Sequence, residues 1–264
     1  MKRLMIAIFT IALICSSLSL ANAVTITDTY HKTVDFTNNG DVSVRSTNGK
    51  IEVTSWNRSD VEINAEIKVK AGSHRKAEKL LERVEMIVER SGDQLRIDAD
   101  YPKKSNTGFL DWIFGDNANV TINYTIKVPE ETNLNLKSVN GRVMVEDVNG
   151  NAELSTVNGG IDAEALKGSV DAHTVNGAVK IKVKSLDRRD NIMLKTTNGS
   201  VKLGLPENVS ADVEASTVNG SIRTDFPLTI QGKYARHHLD GEINGGGGKI
   251  KLSTVNGSIN ILEY

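Results

Sequence analysis

The chain has 264 residues, of which 25% are charged and 5% aromatic, and its formal net charge is −1. A chain so close to neutral is not predicted to bind nucleic acid, or to attach by charge to an anionic membrane. The single cysteine, Cys15, excludes an intrachain disulfide and any metal site built from several thiolates.

The first 23 residues have the order of a secretory signal. Two basic residues precede a run over 4–14 that is apolar except for Thr10, and Ala21-Asn22-Ala23 follows it. A membrane anchor is the alternative, but the run is shorter than the ~20 residues that a spanning helix needs. We therefore expect residues 1–23 to be a signal peptide and the mature chain, without Cys15, to begin at Val24.

A short motif recurs along the rest of the chain as apolar-x-apolar-x-[Ser/Thr]-[Val/Thr]-Asn-Gly-x-apolar. Asn-Gly favours a turn because both residues accept positive φ, and the alternation on either side predicts a strand with one buried face. Besides the copy at Gly49, the structural turns are Asn140, Gly141, Asn158, Gly159, Asn176, Gly177, Asn198, Gly199, Asn219, Gly220, Asn256 and Gly257.

The spacing of these glycines distinguishes a hairpin meander from a solenoid. Glycine recurs every nine residues from Gly141 to Gly177, but only every second position carries the full motif. The motif returns at Gly199 and Gly220, and a weaker form follows at Gly241. A meander has no reason to prefer alternate corners, whereas stacked coils place equivalent corners above one another.

We therefore predict a mainly all-β fold, a right-handed β-solenoid of the β-helix type with two or three sides. The repeat region covers 134–264, and the N-terminal β coils cover 24–53. Asn158, Asn176 and Asn198 should form an amide ladder, and the hydroxyl residues should bond the corner backbone from inside.

Residues 54–133 interrupt the repeat. Three alternating strands are predicted over 61–69, 95–101 and 120–128, and an inserted amphipathic helix over about 73–90, ending near Gly92. Such a helix would pack on the sheet or seal one end of the solenoid. The apolar loop 106–118 joins the last two strands.

The segments "STNGKIEV", "AEKLLERVEMIVERSGDQLRIDADYP" and "GGGGKIKLSTVNGSINI" resemble a family of bacterial putative adhesins, exported β-solenoids with T-x-N-G-x-I repeats. The resemblance covers most of the mature chain. It implies export and a solenoid fold, and it implies no activity, because the family is uncharacterised.

No pattern of residues predicts catalysis, a cofactor or a metal site. The sequence has no Gly-x-Ser-x-Gly, phosphate-loop or His-Glu-x-x-His motif. The enzyme alternative is a polysaccharide-active solenoid that resembles pectate lyases, with Asp162, Asp171 and Lys180 or Lys182 as its groups. Charges that alternate with apolar residues on solvated strands explain these residues equally well.

Two apolar features could bind a partner. Valine stands two before glycine in five corners (Val139, Val157, Val175, Val218 and Val255), and parity points it outward as a ridge, although cover by the inserted helix and strands is the favoured interpretation. The second feature is loop 106–118, which is either a plug or a tip that contacts a membrane or partner. Its large apolar residues are Phe109, Leu110, Trp112, Ile113 and Phe114.

These observations predict a non-enzymatic, adhesin-like binding or scaffolding protein of the cell envelope, located in the periplasm, at the outer envelope or outside the cell. The partner would be an envelope protein or a glycan, with membrane contact through loop 106–118 and a monomer as the favoured state. The alternatives are the polysaccharide-active lyase or hydrolase and an envelope-associated regulatory partner.

Overall fold

The computed structural model describes residues 23–100, 118–230 and 237–264. These residues form one short helix, α1 (His74–Leu81), and many strands. The strands are β1 (Val24–Asp35), β2 (Asp41–Asn48), β3 (Ile51–Trp56), β4 (Asp60–Ala71), β5 (Glu85–Ser91), β6 (Gln94–Asp100), β7 (Asn119–Pro129), β8 (Asn133–Asn140), β9 (Val143–Glu146), β10 (Ala152–Asn158), β11 (Ile161–Leu166), β12 (Val170–Asn176), β13 (Val179–Val183), β14 (Asn191–Asn198), β15 (Val201–Leu205), β16 (Ala211–Asn219), β17 (Ile222–Thr224), β18 (Thr229–Ile230), β19 (His238–Ile243), β20 (Gly248–Asn256) and β21 (Ile259–Glu263).

The strands form two sheets, and each coil of the repeat gives one strand to each. Sheet A has the order β1-β4-β7-β3-β9-β11-β13-β15-β21-β17, and sheet B has the order β18-β19-β16-β20-β14-β12-β10-β8-β2-β6-β5. Successive coils pair in parallel, so that β10 lies between β8 and β12 while β11 lies between β9 and β13. The β-solenoid prediction is confirmed, and the solenoid has two sides.

The core lies between the two sheets and follows from the alternation of each strand. Leu136, Leu154 and Leu194 point inward from sheet B and are fully buried. Val179 and Leu203 point inward from sheet A and are equally buried. Because the register is parallel, apolar side chains from successive coils stack above one another, and their removal from water stabilises the fold.

The predicted amide ladder exists and is longer than expected. Asn176 donates from Nδ2 to Oδ1 of Asn158, and Asn198 donates to Asn176, both at 2.8 Å. The same bond, at 2.8–2.9 Å, links each neighbouring corner. In spatial order the ladder comprises Asn48, Asn140, Asn158, Asn176, Asn198, Asn256 and Asn219.

A column of buried threonines lies beside the ladder, on the inner side of the corner. The hydroxyl of Thr174 donates to the carbonyl oxygen of Gly159 at 2.9 Å, and Thr196 donates to Gly177 at 2.8 Å. Thr156, Thr217 and Thr254 repeat this bond. Each hydroxyl therefore ties its own coil to the glycine of a neighbouring coil, as the sequence predicted.

The reason for the corner glycines differs from the prediction. Among the corner copies only Gly49 has positive φ, +116°, and the corner asparagines have negative φ. Instead, a Cβ placed on Gly177 would lie 1.9 Å from the carbonyl oxygen of Gly159. The corner backbones stack so closely that glycine is needed for space rather than for a left-handed conformation.

The last coil does not stack in chain order. Strand β20 pairs in parallel with β14 on one side and with β16 on the other, and β21 lies between β15 and β17. Strand β19 then pairs antiparallel with β16. Gly241 lies inside β19, so its interpretation as a weaker corner of the repeat was wrong.

The inserted segment 54–133 and the N-terminal strand β1 extend both sheets beyond the first coil. Of the N-terminal coils predicted over 24–53, only β2 and β3 form a coil, because β1 pairs antiparallel with β4. Strands β4 and β1 continue sheet A from β7, and β6 and β5 continue sheet B from β2. The helix packs against β1 and β4 with Ala77 and Leu80 buried.

The predicted helix over 73–90 is too long. It ends at Leu81, and the stretch that follows forms β5, which pairs antiparallel with β6. The apolar residues Met86 and Val88 lie on one face of this strand and pack against the core. Gly92 does not end the helix but has φ +60° in the turn between the two strands. Pairing with the next strand, in a hairpin that β6 anchors to β2, has overridden a local helical pattern.

Candidate binding surface

The valines beside the asparagine ladder form an exposed ridge on sheet B. Strand pairing sets their spatial order, with Thr197 of β14 between Val175 and Val255. We call this row the valine ridge. Its members, from one end to the other, are Val139, Val157, Val175, Thr197, Val255 and Val218.

The ridge is open to solvent. Its five valines are between 40% and 61% exposed, with Val255 the least exposed and Val218 the most. At the ~4.8 Å spacing of neighbouring strands, six positions span about 24 Å. Single exposed apolar residues are common on proteins, but five of them in one line, interrupted only by Thr197, are typical of an interaction site.

The favoured expectation that the inserted helix and strands cover this ridge was wrong. Strands β5 and β6 join sheet B at its edge, beside β2, and therefore extend the sheet rather than lie on its face. The helix packs on β1 and β4 of sheet A. The insert lengthens the solenoid and leaves the outer face of sheet B uncovered by these elements.

A polar row runs beside the ridge, two residues earlier on each strand. Lys137 makes an ion pair of 2.9 Å with Glu153, and His173 lies 3.8 Å from Asp171. On the other side of the ridge lies the ladder of amides. The apolar strip is thus bordered by groups that can donate and accept hydrogen bonds, the arrangement of an interface with an apolar centre and a polar rim.

A shallow polar groove lies on the same face, towards the inserted strands. Its volume is ≈ 650 Å³, and it is formed where β5 and β6 meet β2, β8 and β10. Asn135 donates to Glu153 at 2.7 Å, and Asn133 donates to Asp41 at 3.1 Å. The sequence analysis missed this groove, because only the pairing of β2 with β6 brings Arg96 to Asp41 and Asn133.

A second cavity, of ≈ 370 Å³, lies on the outer face of sheet A. Lys180, Lys182 and Lys202 line it, and the Lys182 ammonium lies 3.7 Å from the centre of the Tyr264 ring. The Tyr264 hydroxyl donates to the carbonyl of Val183, and burial raises the pKa of this phenol. The aromatic ring and a lysine therefore already satisfy each other in this cavity.

The structure brings together only part of the enzyme alternative, because Asp162, Lys180 and Lys182 share the cavity on sheet A whereas Asp171 lies on sheet B. Asp162 points outward from β11 of sheet A, where it lies 3.3 Å from Arg142 and 3.6 Å from Lys180. Asp171 points outward from β12 of sheet B. Within the described ranges, no three His, Cys, Asp or Glu side chains are arranged as a metal site.

The predicted apolar loop 106–118 falls almost entirely outside the described residues. Phe109, Leu110, Trp112, Ile113 and Phe114 lie outside the described residues, between β6 and β7. In the part of the chain that the structure describes, no helix is long and apolar enough to cross a membrane.

Comparison with solved structures finds matches at low identity. One from Clostridium sporogenes, described as a putative cell adhesion protein, is 12% identical, with a TM-score of 0.49 over 90% of this chain and 100% of that one. A putative adhesin from Bacteroides fragilis is 14% identical, with a TM-score of 0.41 over 90% of this chain and 97% of that one.

No curated protein matches this chain. The family model described as Toastrack DUF4097 matches residues 23–262, almost the whole sequence. The match agrees with the fold, in which coils with Asn-Gly corners stack in parallel and a long ladder of asparagines joins them. The chain belongs to the Toastrack DUF4097 family.

Proposed function

We propose that this chain is an exported, non-enzymatic binding or scaffolding module of the bacterial cell envelope, similar in role to an adhesin. The observation that carries the proposal is the open valine ridge, about 24 Å long and bordered by hydrogen-bonding groups. Export is supported by the signal-like order of residues 1–23.

The ridge suits binding because its geometry is rigid. Each valine belongs to a strand that is tied to its neighbours by ladder bonds and by an asparagine bond at the corner. A rigid surface loses little conformational entropy when a partner docks, so more of the interaction energy appears as affinity. An envelope protein or a glycan with an apolar face would fit this strip.

The test is a pull-down from envelope extract together with a glycan array. We expect Val157→Asp/Val255→Asp to abolish binding, because each change puts a charge into the centre of the apolar strip. The two positions are three strands apart, so the new charges do not meet.

A matched control carries the same change at exposed apolar sites outside the ridge. Leu262 and Ile230 are 39% and 42% exposed, and Leu262→Asp/Ile230→Asp should bind as the unaltered chain does. Binding by a folded ridge variant that equals that of this control would contradict the proposal.

We propose loop 106–118 as a second contact, with a membrane or partner. Its support is the sequence alone, since five of the six residues 109–114 are large and apolar, and Trp112 is suited to an interface. Liposome flotation of the exported chain and of Trp112→Ser/Phe114→Ser tests this contact. Absence of the unaltered chain from the floated fraction would rule out the membrane.

A further inference from the structure

The two sheets end in four edge strands of very different length. Among the described residues, β17 has three residues and β18 has two, so these edges offer few free backbone groups. The edge strand β5 carries Glu85 and Glu89 on one face. Short strands and charges are the usual means by which proteins prevent edges from pairing.

Strand β1, the other edge strand of sheet A, is different. Strand β1 has twelve residues in unbroken register with β4, from Val24 opposite Ala71 to Asp35 opposite Asp60. It contains no proline and no bulge. Its other side has no partner strand in the part of the chain described, so a row of backbone donors and acceptors is open to another strand.

The sequence of β1 is complementary to itself when read in the opposite direction. In an antiparallel pair of two β1 strands centred on Tyr30, Asp28 of each copy lies opposite Lys32 of the other. In the same register Ile26 lies opposite Val34, and the two Tyr30 side chains meet at the centre. Opposite charges and apolar pairs directly across from each other stabilise such a sheet.

Neighbouring registers lose this match. Centring the pair on Thr29 places Ile26 opposite Lys32, and centring it on His31 places Asp28 opposite Val34. A slip by two residues therefore replaces charge pairs by a charge against an apolar side chain. The strand thus specifies one register for its own copy.

The two charges are available for this role. Within the described residues Asp28 and Lys32 belong to no ion pair, and both are exposed. The residues directly opposite them on β4, Ile67 and Ile63, are apolar. Asp28 accepts a local hydrogen bond of 2.8 Å from the amide of Thr29. Among the described residues, no ion pair explains why an acid and a base stand at these positions.

The apolar residues of β1 point to the same face as these charges. Ile26, Tyr30 and Val34 are only half-buried, although they pack against the core. A second β1 beside them would cover their open edge. It would also join the two ten-stranded sheets into one continuous sheet across a two-fold axis.

We propose that a second copy of this chain docks antiparallel on β1, with the two-fold axis at Tyr30. This interface is independent of the valine ridge, which lies on sheet B. It contrasts with the monomer favoured by the sequence, and the reason is that β1 becomes a long free edge only in the assembled sheet.

The test is sedimentation velocity of the chain recovered after export, at about 1 to 100 µM and about 50 mM salt, where charge pairs are little screened. We expect a dimer whose population grows with concentration. Asp28→Lys and Lys32→Asp should each weaken association about tenfold, because every dimer then contains two like-charge pairs. An equimolar mixture of the two variants should associate again, since the two acidic positions of one chain oppose the two basic positions of the other.

The control is Asp35→Lys, which changes the net charge as Asp28→Lys does but lies opposite Thr25 in the proposed register. It should leave the dimer unchanged, and circular dichroism should show that all variants are folded. A single monomer species at every concentration would overturn the proposal. So would a mixture that associates no better than either variant alone.

Discussion

At the scale of single residues, the corner motif divides its work among three side chains. Asparagine links neighbouring coils through its amide, threonine binds the stacked glycine carbonyl from inside, and glycine leaves room for that carbonyl. Valine, between threonine and asparagine, points outward and is free for another role. Three positions of the motif are therefore explained by stability, and one is not.

Gly177→Ala tests the role of space. We expect a loss of about 1–3 kcal/mol in the free energy of unfolding, measured by urea denaturation, because the new methyl group would overlap the carbonyl oxygen of Gly159. Gly72 has no atom within 4 Å of such a methyl group and has no positive φ, so Gly72→Ala should change stability by less than about 0.5 kcal/mol. Equal effects of the two changes would contradict the stacking explanation.

Thr174→Val tests the hydroxyl column. The substitution keeps the shape but removes the donor to the carbonyl oxygen of Gly159, so it should cost about 1–3 kcal/mol of unfolding free energy. The hydroxyl of Ser138 occupies the equivalent place but is buried and has no hydrogen-bond partner among the residues that the structure describes. Ser138→Ala should therefore be neutral or stabilising in the same denaturation experiment.

At the scale of elements, neighbours decide what a segment becomes. Residues 85–91 carry a helical apolar stripe, yet they form β5 because β6 is beside them. Strand β4 is held on its outer face by a row of charges, in which Glu62 lies 3.3 Å from Lys127 and Glu66 lies 2.8 Å from Lys68. The pair of Glu62 and Lys127 joins β4 to β7, whereas Glu66 and Lys68 both belong to β4. Glu66 is linked to β7 by Asn123, which donates from Nδ2 to Oε2 of Glu66 at 3.1 Å. These contacts are strongest while the carboxyl groups are ionised.

The pH dependence of stability should show this row. Side-chain hydrogen bonds, from Lys127 to Glu62 and from Lys68 to Glu66, lower the pKa of each carboxyl group. A lowered pKa in the folded state means that the stabilisation is complete above the usual glutamate pKa of about 4.3 and is lost as the pH falls through the lowered value. Thermal unfolding of Glu62→Gln/Glu66→Gln should depend less on pH in this acidic range.

The two chains should have equal stability at the acidic end, where both carboxyl groups of the unaltered chain are protonated. At neutral pH the unaltered chain should be slightly more stable, because exposed pairs contribute little each. An unchanged pH profile in the variant would contradict the role of this row.

At the scale of the whole molecule, the C-terminal coil lies inside the solenoid rather than at its end. Strands β20 and β21 separate the coil of β14 and β15 from the coil of β16 and β17. In a solenoid each coil is stabilised mainly by its direct neighbours. Loss of the last twenty residues would therefore remove an interior coil.

Truncation after Asn244 should make residues 206–243 accessible to proteases, because β16 and β17 lose the strands with which they pair in parallel. Limited proteolysis followed by mass spectrometry would locate the cuts. Removal of Tyr264 alone is the control, and it should leave this region protected. Protection of residues 206–243 in the longer truncation would show that they hold together without β20 and β21.

Local repetition was enough to predict much of this protein. The motif determined the β-solenoid, the inward apolar residues, the amide ladder and the outward valines, because each depends on strand parity and on equivalent corners being stacked. The tertiary structure alone decided the position of the last coil, the strand β5, the open valine ridge and the free edge of β1. Strand β5 depends on its hairpin partner β6, which pairs with β2 across the fold. The other features depend on which distant strands pair, and a periodic sequence offers many partners of nearly equal local quality, so only the packing of the whole chain selects among them.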